Sequence, residues 1–580
     1  MPALPRAWGH GALAMSCVIA VALVGGAALV DAAPAVRVDA ALGLGGWIVP
    51  GRFVPLRLEV RASRAVRGTL EVEIPSSAGD RVVYAFAVQL PAEGRAQFTA
   101  DVVIADPRRP VTVRLRGAPR LDLTVPVGSA RAAEGIVAAV TEERAGLEFL
   151  ATAGARMRPA YLDSTDLPVT AQGYEGVALL AVRDLDDGAL LPAQRTAVLD
   201  WLAEGGRLLL VPGGRFPLPG WLSAVAPAQM GEAAVAAGSV PVPLVALRPL
   251  PGARVVQSGG APLAVRTTVG QGLVEIWAFD PFAPPGRVWS GRMPLWRALL
   301  RPPSPASYGA ALAEELPRTR PLPGSTQLGL AVLCVGYIAA VRRAFRRFGS
   351  TPALWVTLLL LAVAASAALY TAATGARRAA GSVAQLSVID AFPGTRRGRA
   401  LTYISLIAPY GGGVELTLPP GSAVRPLGPV GLRVQDGTVL TATPGRGGPG
   451  LLEVSQFVPL ELRARAVARD GMVELTLAPG GPRLESALLY QGGQIYRLPE
   501  RSMERLVLDP ARWEPMERRG AFGPDVAARA LTALLRRLDG RGDGPFLVAV
   551  VDAEEIGVRL RSGARGQAAQ MLVLPLEVER

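Results

Sequence analysis

The stretch Leu191-Pro-Ala-Gln-Arg-Thr-Ala-Val-Leu-Asp-Trp-Leu-Ala-Glu-Gly-Gly-Arg-Leu-Leu-Leu-Val-Pro-Gly-Gly214 reads as one helix followed by one buried strand. Pro192 opens the helix at a first turn, where its missing N–H is not needed. Gly205-Gly206 stops it. Arg207-Leu-Leu-Leu-Val211 is a continuous apolar run, the pattern of a strand covered on both faces, and Pro212-Gly213-Gly214 closes it. Outward on either side the same alternation recurs. Gly135-Ile-Val-Ala-Ala-Val140 precedes a helical pattern around Ala145 to Ala153, and Gly176-Val-Ala-Leu-Leu-Ala-Val182 ends at Arg183-Asp184. Leu263-Ala-Val-Arg-Thr267 and Gly272-Leu-Val-Glu-Ile-Trp-Ala-Phe-Asp280 follow. Strands that alternate with helices predict a parallel-containing α/β sheet over residues 129–300, with Val137, Leu179, Leu209 and Ile276 buried in its strands.

The run from Leu191 to Gly214 resembles the helix–strand core of class I glutamine-amidotransferase-like domains. Val269-Gly-Gln-Gly-Leu-Val-Glu-Ile-Trp-Ala-Phe-Asp280 resembles their closing strand, and a helix around Trp289 to Leu300 is similar to theirs. The resemblance implies a flavodoxin-like fold in a bacterial membrane protein. It does not imply the activity. Working amidotransferases carry Cys on the turn after such a strand and His further on; here the turn is Pro212-Gly213-Gly214, and the single His is His10.

The flanks differ. Residues 36–128 show period-two runs, among them Leu56-Arg-Leu-Glu-Val60 and Thr69-Leu-Glu-Val-Glu-Ile74, separated by turn residues. They predict an N-terminal Ig-like β-sandwich. Residues 301–325 hold six Pro and form a Pro-rich linker. Two apolar stretches follow, at 326–341 and 353–373, around a segment 342–352 containing Arg342, Arg343, Arg346 and Arg347 and no acid. A spanning helix needs roughly 20 apolar residues, and short Arg-rich loops stay cytoplasmic. The expectation is a two-helix transmembrane hairpin with a cytoplasmic loop and both large regions outside; a buried soluble helix pair is the alternative. Residues 1–35 read as a signal peptide, with Arg6, an apolar run from Gly11 to Val30 and Ala33-Pro34-Ala35 for cleavage, or else as an uncleaved anchor. Residues 382–580 return to β pattern, with a hairpin turn at Gly492-Gly493. One amphipathic helix from Pro524 to Leu538 makes this a β-rich α+β region. The fold class expected is therefore multidomain, with sandwich, flavodoxin-like domain, membrane hairpin and β-rich end in that order.

Composition limits the chemistry. The formal charge is +13, yet all 61 basic residues are Arg and they are interleaved with acids. No basic stripe forms, so no nucleic-acid partner is expected. Cys17 and Cys334 lie in the first apolar run and the first hairpin stretch. The regions expected outside thus lack His, Cys and Lys, which removes Ser-His and Cys-His pairs, thiolate or imidazole zinc sites and Schiff-base lysines. No cofactor, metal or catalytic residue is expected.

One ligand crevice is a candidate. Open parallel sheets bind ligands beyond the carboxyl ends of their strands, where Asp184, Gly213, Gly214 and Asp280 are expected. A cation or a sugar hydroxyl would suit the carboxylates. In the alternative, Asp184 and Asp186 cap turns while the glycines supply positive φ. The functional expectation is a non-enzymatic cell-envelope scaffold or sensor at the cell membrane, multi-pass. Its partners would be membrane lipids and other envelope proteins or cell-wall polymer. The alternatives are a carboxylate-dependent hydrolase, a cation- or sugar-binding protein, or an accessory subunit of a transport or secretion complex.

Overall fold

A computed structural model describes residues 36–300 and 382–460 with short interruptions, the helical pair at 324–378, and separate segments between 464 and 579. The signal-peptide expectation, most of the linker and the turn at Gly492-Gly493 lie outside the described residues, and of the helix expected from Pro524 to Leu538 only Leu534 and Leu535 are described, helical and buried.

The described residues are mostly β, 49% strand against 21% helix, which corrects the multidomain fold class with its flavodoxin-like centre. The central sheet explains the difference. Its strands are β8 (Gly135–Val140), β9 (Met157–Leu162), β10 (Val177–Arg183), β11 (Arg207–Val211), β12 (Arg254–Ser258), β13 (Ala261–Val269) and β14 (Gly272–Trp277); β1 to β7 belong to the N-terminal region. They lie in the order β9-β8-β10-β11-β14-β13-β12. The first five run parallel; β13 pairs antiparallel with β14, and β12 antiparallel with β13. Val137, Leu179, Leu209 and Ile276 are fully buried within it. A flavodoxin-like domain would interleave such strands with helices on both faces. Among the described residues only the β10–β11 connection carries a long one, α1 (Pro192–Glu204). Phe149–Thr152 is a single turn, and the β9–β10 connection is made of 3-10 turns. Continuous apolar strands show that both faces are covered, but not by what. Here part of the cover comes from the N-terminal region: Val49, in the segment before β2 (Phe53–Ala62), packs into this core and Gly176 leaves room for it.

The N-terminal strands are β1 (Val36–Leu42), β2 (Phe53–Ala62), β3 (Val66–Pro75), β4 (Arg81–Leu90), β5 (Gly94–Val103), β6 (Thr112–Ala118) and β7 (Leu121–Pro126). β1, β2 and β5 form one sheet; β3, β4, β6 and β7 form part of another, and a common core fills the space between. That second sheet does not stop at its own region. β4 pairs in parallel with a strand from the far end of the chain, Leu432 opposite Val82 and Val434 opposite Tyr84. The C-terminal strands involved are β15 (Ser382–Ala391), β16 (Arg397–Ile407), β17 (Val414–Thr417), β18 (Ala423–Pro426), β19 (Val430–Gln435), β20 (Val439–Pro444) and β21 (Gly450–Pro459). β19, β20 and β17 extend the N-terminal sheet, while β18, β21, β16 and β15 belong to a separate sheet. Leu56, Leu70 and Val113 therefore share one core with Val430, Leu440 and Val454. Asp436 locks the seam: its main chain takes φ 46, its N–H donates to Ala85 O at 2.9 Å, and its Oδ1 accepts from the Ala87 N–H at 3.0 Å.

The two apolar stretches form helices, α3 (Gly324–Phe348) and α4 (Pro352–Arg378), after the short α2 (Arg292–Leu299). The basic segment expected as a loop is helical through Phe348. Arg is a good helix former, and the chain turns only at Gly349, φ 53, before Pro352 restarts it. Among the described residues no helix is long and apolar enough to cross a membrane. The apolar part of α3 ends at Val341, and Arg342, Arg343, Arg346 and Arg347 follow within the same helix. The transmembrane hairpin, its cytoplasmic loop and the multi-pass cell-membrane localisation are corrected accordingly.

Candidate functional site: a buried charge cluster between three regions

The expected crevice is only partly described. Asp184 and Gly214 lie outside the described residues. Gly213 follows β11 and Asp280 follows β14, so both stand off the same edge of two neighbouring strands. Asp280 is already occupied. Its Oδ2 accepts from Arg183 Nε at 2.8 Å, and its Oδ1 accepts from the N–H of Phe282 at 2.8 Å and of Ala283 at 3.3 Å. Burial raises its pKa, against the pull of these donors. It caps a turn, as short polar side chains do.

A denser constellation lies elsewhere. Glu175 ends the 3-10 turn Ala171–Tyr174, just before β10. Its side chain is 4% exposed. Glu175 Oε2 accepts from the Phe53 N–H at 2.8 Å and from Arg425 Nη2 at 2.6 Å. Its Oε1 lies 3.6 Å from Arg52 Nη1 and 3.9 Å from Arg399 Nη2. Burial alone would push its pKa up; Arg425, Arg399, the Phe53 amide and Arg52 together hold it below the ordinary value. Arg399, 2% exposed, donates from Nε to Ser455 Oγ at 2.9 Å and pairs with Glu204 on α1. Desolvation lowers its pKa, opposed by Glu175 and Glu453. Arg425 lies 3.7 Å from Glu453, its cross-strand neighbour, and stacks over the Phe53 ring at 4.6 Å. At the rim Arg397 Nε meets Asp200 of α1 at 2.7 Å, and Gln172 donates to Ser455 O at 3.3 Å. Three arginines thus face three glutamates drawn from the N-terminal strands, the central sheet and the C-terminal strands.

The local pattern explains each placement. Strand alternation puts Arg397 and Arg399 on one face of β16, toward α1. On α1, Asp200 and Glu204 are four residues apart and therefore neighbours. None of this was among the expected site residues. One signal was available: Arg399 sits next to Ala400-Leu-Thr-Tyr-Ile404, and Glu453 stands within Leu451-Leu-Glu-Val454. A charge inside an apolar strand requires a buried partner. Which partner it takes is fixed by the tertiary fold.

Chemically the cluster binds its own chain. Glu453 is fully buried and Glu175 nearly so. Among the described residues no group of His, Cys, Asp and Glu could hold a metal ion.

A second carboxyl adjoins it. Asp101 of β5 accepts from the Thr170 hydroxyl, its carbonyl accepts from Tyr84 Oη at 3.2 Å, and Tyr174 and Glu175 lie near. Burial, with a smaller push from Glu175, raises it from 3.8 to about 6 despite the Thr170 bond; burial likewise raises Asp200 to about 6 against Arg397. A folded-state pKa above the unfolded one means the native protein binds the proton more tightly. Stability should therefore fall as pH rises from about 4 to about 6, and then level off, by on the order of 3 kcal/mol for Asp101. Urea titrations across that range should show the fall, and Asp101→Asn should remove its share and leave the part due to Asp200; an identical slope in the variant would exclude Asp101 as a source.

The comparisons add little to this geometry. A family described as a domain of unknown function (DUF8726) matches residues 35–124. That match lies outside the amidotransferase-like stretch, and the amidotransferase assignment is not supported. No curated protein matches the chain. Among solved structures, an exo-β-1,4-mannosidase, Op5Man5 from Opitutaceae bacterium strain TAV5, is 16% identical with a TM-score of 0.20, covering 29% of this chain and 35% of that one. The chain thus spans about a third of the mannosidase, and a similarity this low carries no inference about fold or activity. What the comparisons establish is that the N-terminal region, from the segment before β1 into β7, is similar to the domain of unknown function.

Proposed function

We propose that the protein is a non-catalytic scaffold that acts through binding, with its N-terminal, central and C-terminal regions clamped into one body by the Glu175 cluster. The observation that carries this is the commitment of Glu175 to arginines from both neighbouring regions, Arg52 on one side and Arg399 and Arg425 on the other. A carboxylate used for hydrolysis stays open to substrate and is tuned toward working pH. Glu175 is closed to solvent and held ionised. The shared sheet between β4 and β19 supports the same function, since a rigid body can present surfaces at fixed spacing. The test is activity. Purified protein should turn over no chromogenic glycoside or ester above background. Turnover that Glu175→Gln or Asp280→Asn abolishes would overturn the proposal in favour of a carboxylate-dependent hydrolase.

A further inference from the structure

The hairpin of α3 and α4 plays no part in the clamp. Its two helices pack chiefly against each other. Only Ala344 and Leu354 are buried among its described residues, while Phe345 is 52% and Trp355 69% exposed. Between residues 324 and 378 there are six Arg and no Asp or Glu. Four of the six, Arg342, Arg343, Arg346 and Arg347, cluster at the turn end of the hairpin, and no ion pair engages them among the described residues. Exposed guanidinium groups beside exposed aromatic rings are the composition of a headgroup-depth anchor: the rings enter the acyl boundary and the charges remain among phosphates.

We propose that the turn end of this hairpin docks on an anionic lipid surface. Charge selects that occupant. A second copy of the chain would bring the same six arginines and no acid, so two hairpin tips repel. A lipid surface bearing phosphate groups complements all four arginines at once, and Arg binds phosphate bidentately. The contact reaches headgroup depth only, so it needs no helix able to cross the bilayer. Each Arg near such a surface contributes roughly fivefold to partitioning, and salt screens the effect within a Debye length.

The test uses the full chain in vesicle flotation, with phosphatidylcholine vesicles with and without phosphatidylglycerol. Protein should float with the anionic vesicles and remain behind with the neutral ones. Replacing the four arginines together (R342Q, R343Q, R346Q, R347Q) should weaken the anionic binding by on the order of several hundredfold. Because these side chains are exposed, the variant should keep its thermal midpoint. Trp355→Ser should weaken binding further without changing its salt dependence. Equal binding to neutral vesicles, or none to either, would overturn the proposal. So would concentration-dependent dimers that hide the hairpin without lipid, or equally tight binding to soluble poly-glutamate, which would mark the site as one for an acidic protein surface.

Discussion

Arg399→Leu is expected to lower folding stability by about 3–5 kcal/mol, the usual cost of removing one partner from a buried charge network. The cost arises from what the change leaves behind. Glu204 loses its guanidinium partner, Ser455 loses a donor, and the Glu175–Glu453 pair retains Arg425 and Arg52 as its cations. A urea series should show a lower midpoint with an unchanged slope. Adding Glu204→Leu should recover part of the loss, because the orphaned carboxylate goes with it. A change under about 1 kcal/mol would mean that Arg399 is a solvated rim charge, contrary to its 2% exposure.

The second large effect belongs to the aromatic cluster that closes the central sheet. Trp296 of α2 is fully buried, with ring centroids 4.9 Å from Trp277, 5.5 Å from Phe149 and 6.4 Å from Phe282. Trp296→Ala should cost about 3–5 kcal/mol through lost transfer energy and the cavity left behind. Trp296→Phe should cost under about 1.5 kcal/mol. Among the described residues the Trp296 indole N–H meets no acceptor, so removing it also relieves a buried donor. Thermal unfolding of the two variants separates the cases: equal losses would mean that the ring volume at this site does not matter.

What was legible in the sequence follows the range of the interactions. Pro192 and Gly205 bracket α1 because capping acts within a few residues, and the apolar run from Leu208 to Val211 marks a buried strand by local pattern. The cover on the second face of that sheet was not legible. An apolar strand records that it is buried and carries no record of its cover. The helices at 324–378 were legible as helices, but their character was not. Composition suggested spans, while helical Arg extended α3 through the segment read as a loop. The cluster was the least legible feature. Glu175 and Arg425 are 250 residues apart, and Gln172 and Ser455 are 283 apart. No periodicity or spacing rule reaches that far. Asp280 lies beyond the end of β14, where its partners Arg183, Phe282 and Ala283 make it a cap.

The central claim is that three regions behave as one cooperative body through the Glu175 cluster. Native-state hydrogen exchange on Glu175→Ala tests it most directly, because regions that share a stabilising network open together. The predicted result is a matched loss of protection in Phe53–Ala62, Val177–Arg183 and Arg397–Ile407, although only the second of these adjoins the substitution in sequence. Loss confined to Val177–Arg183, with the other two strands protected as before, would contradict it.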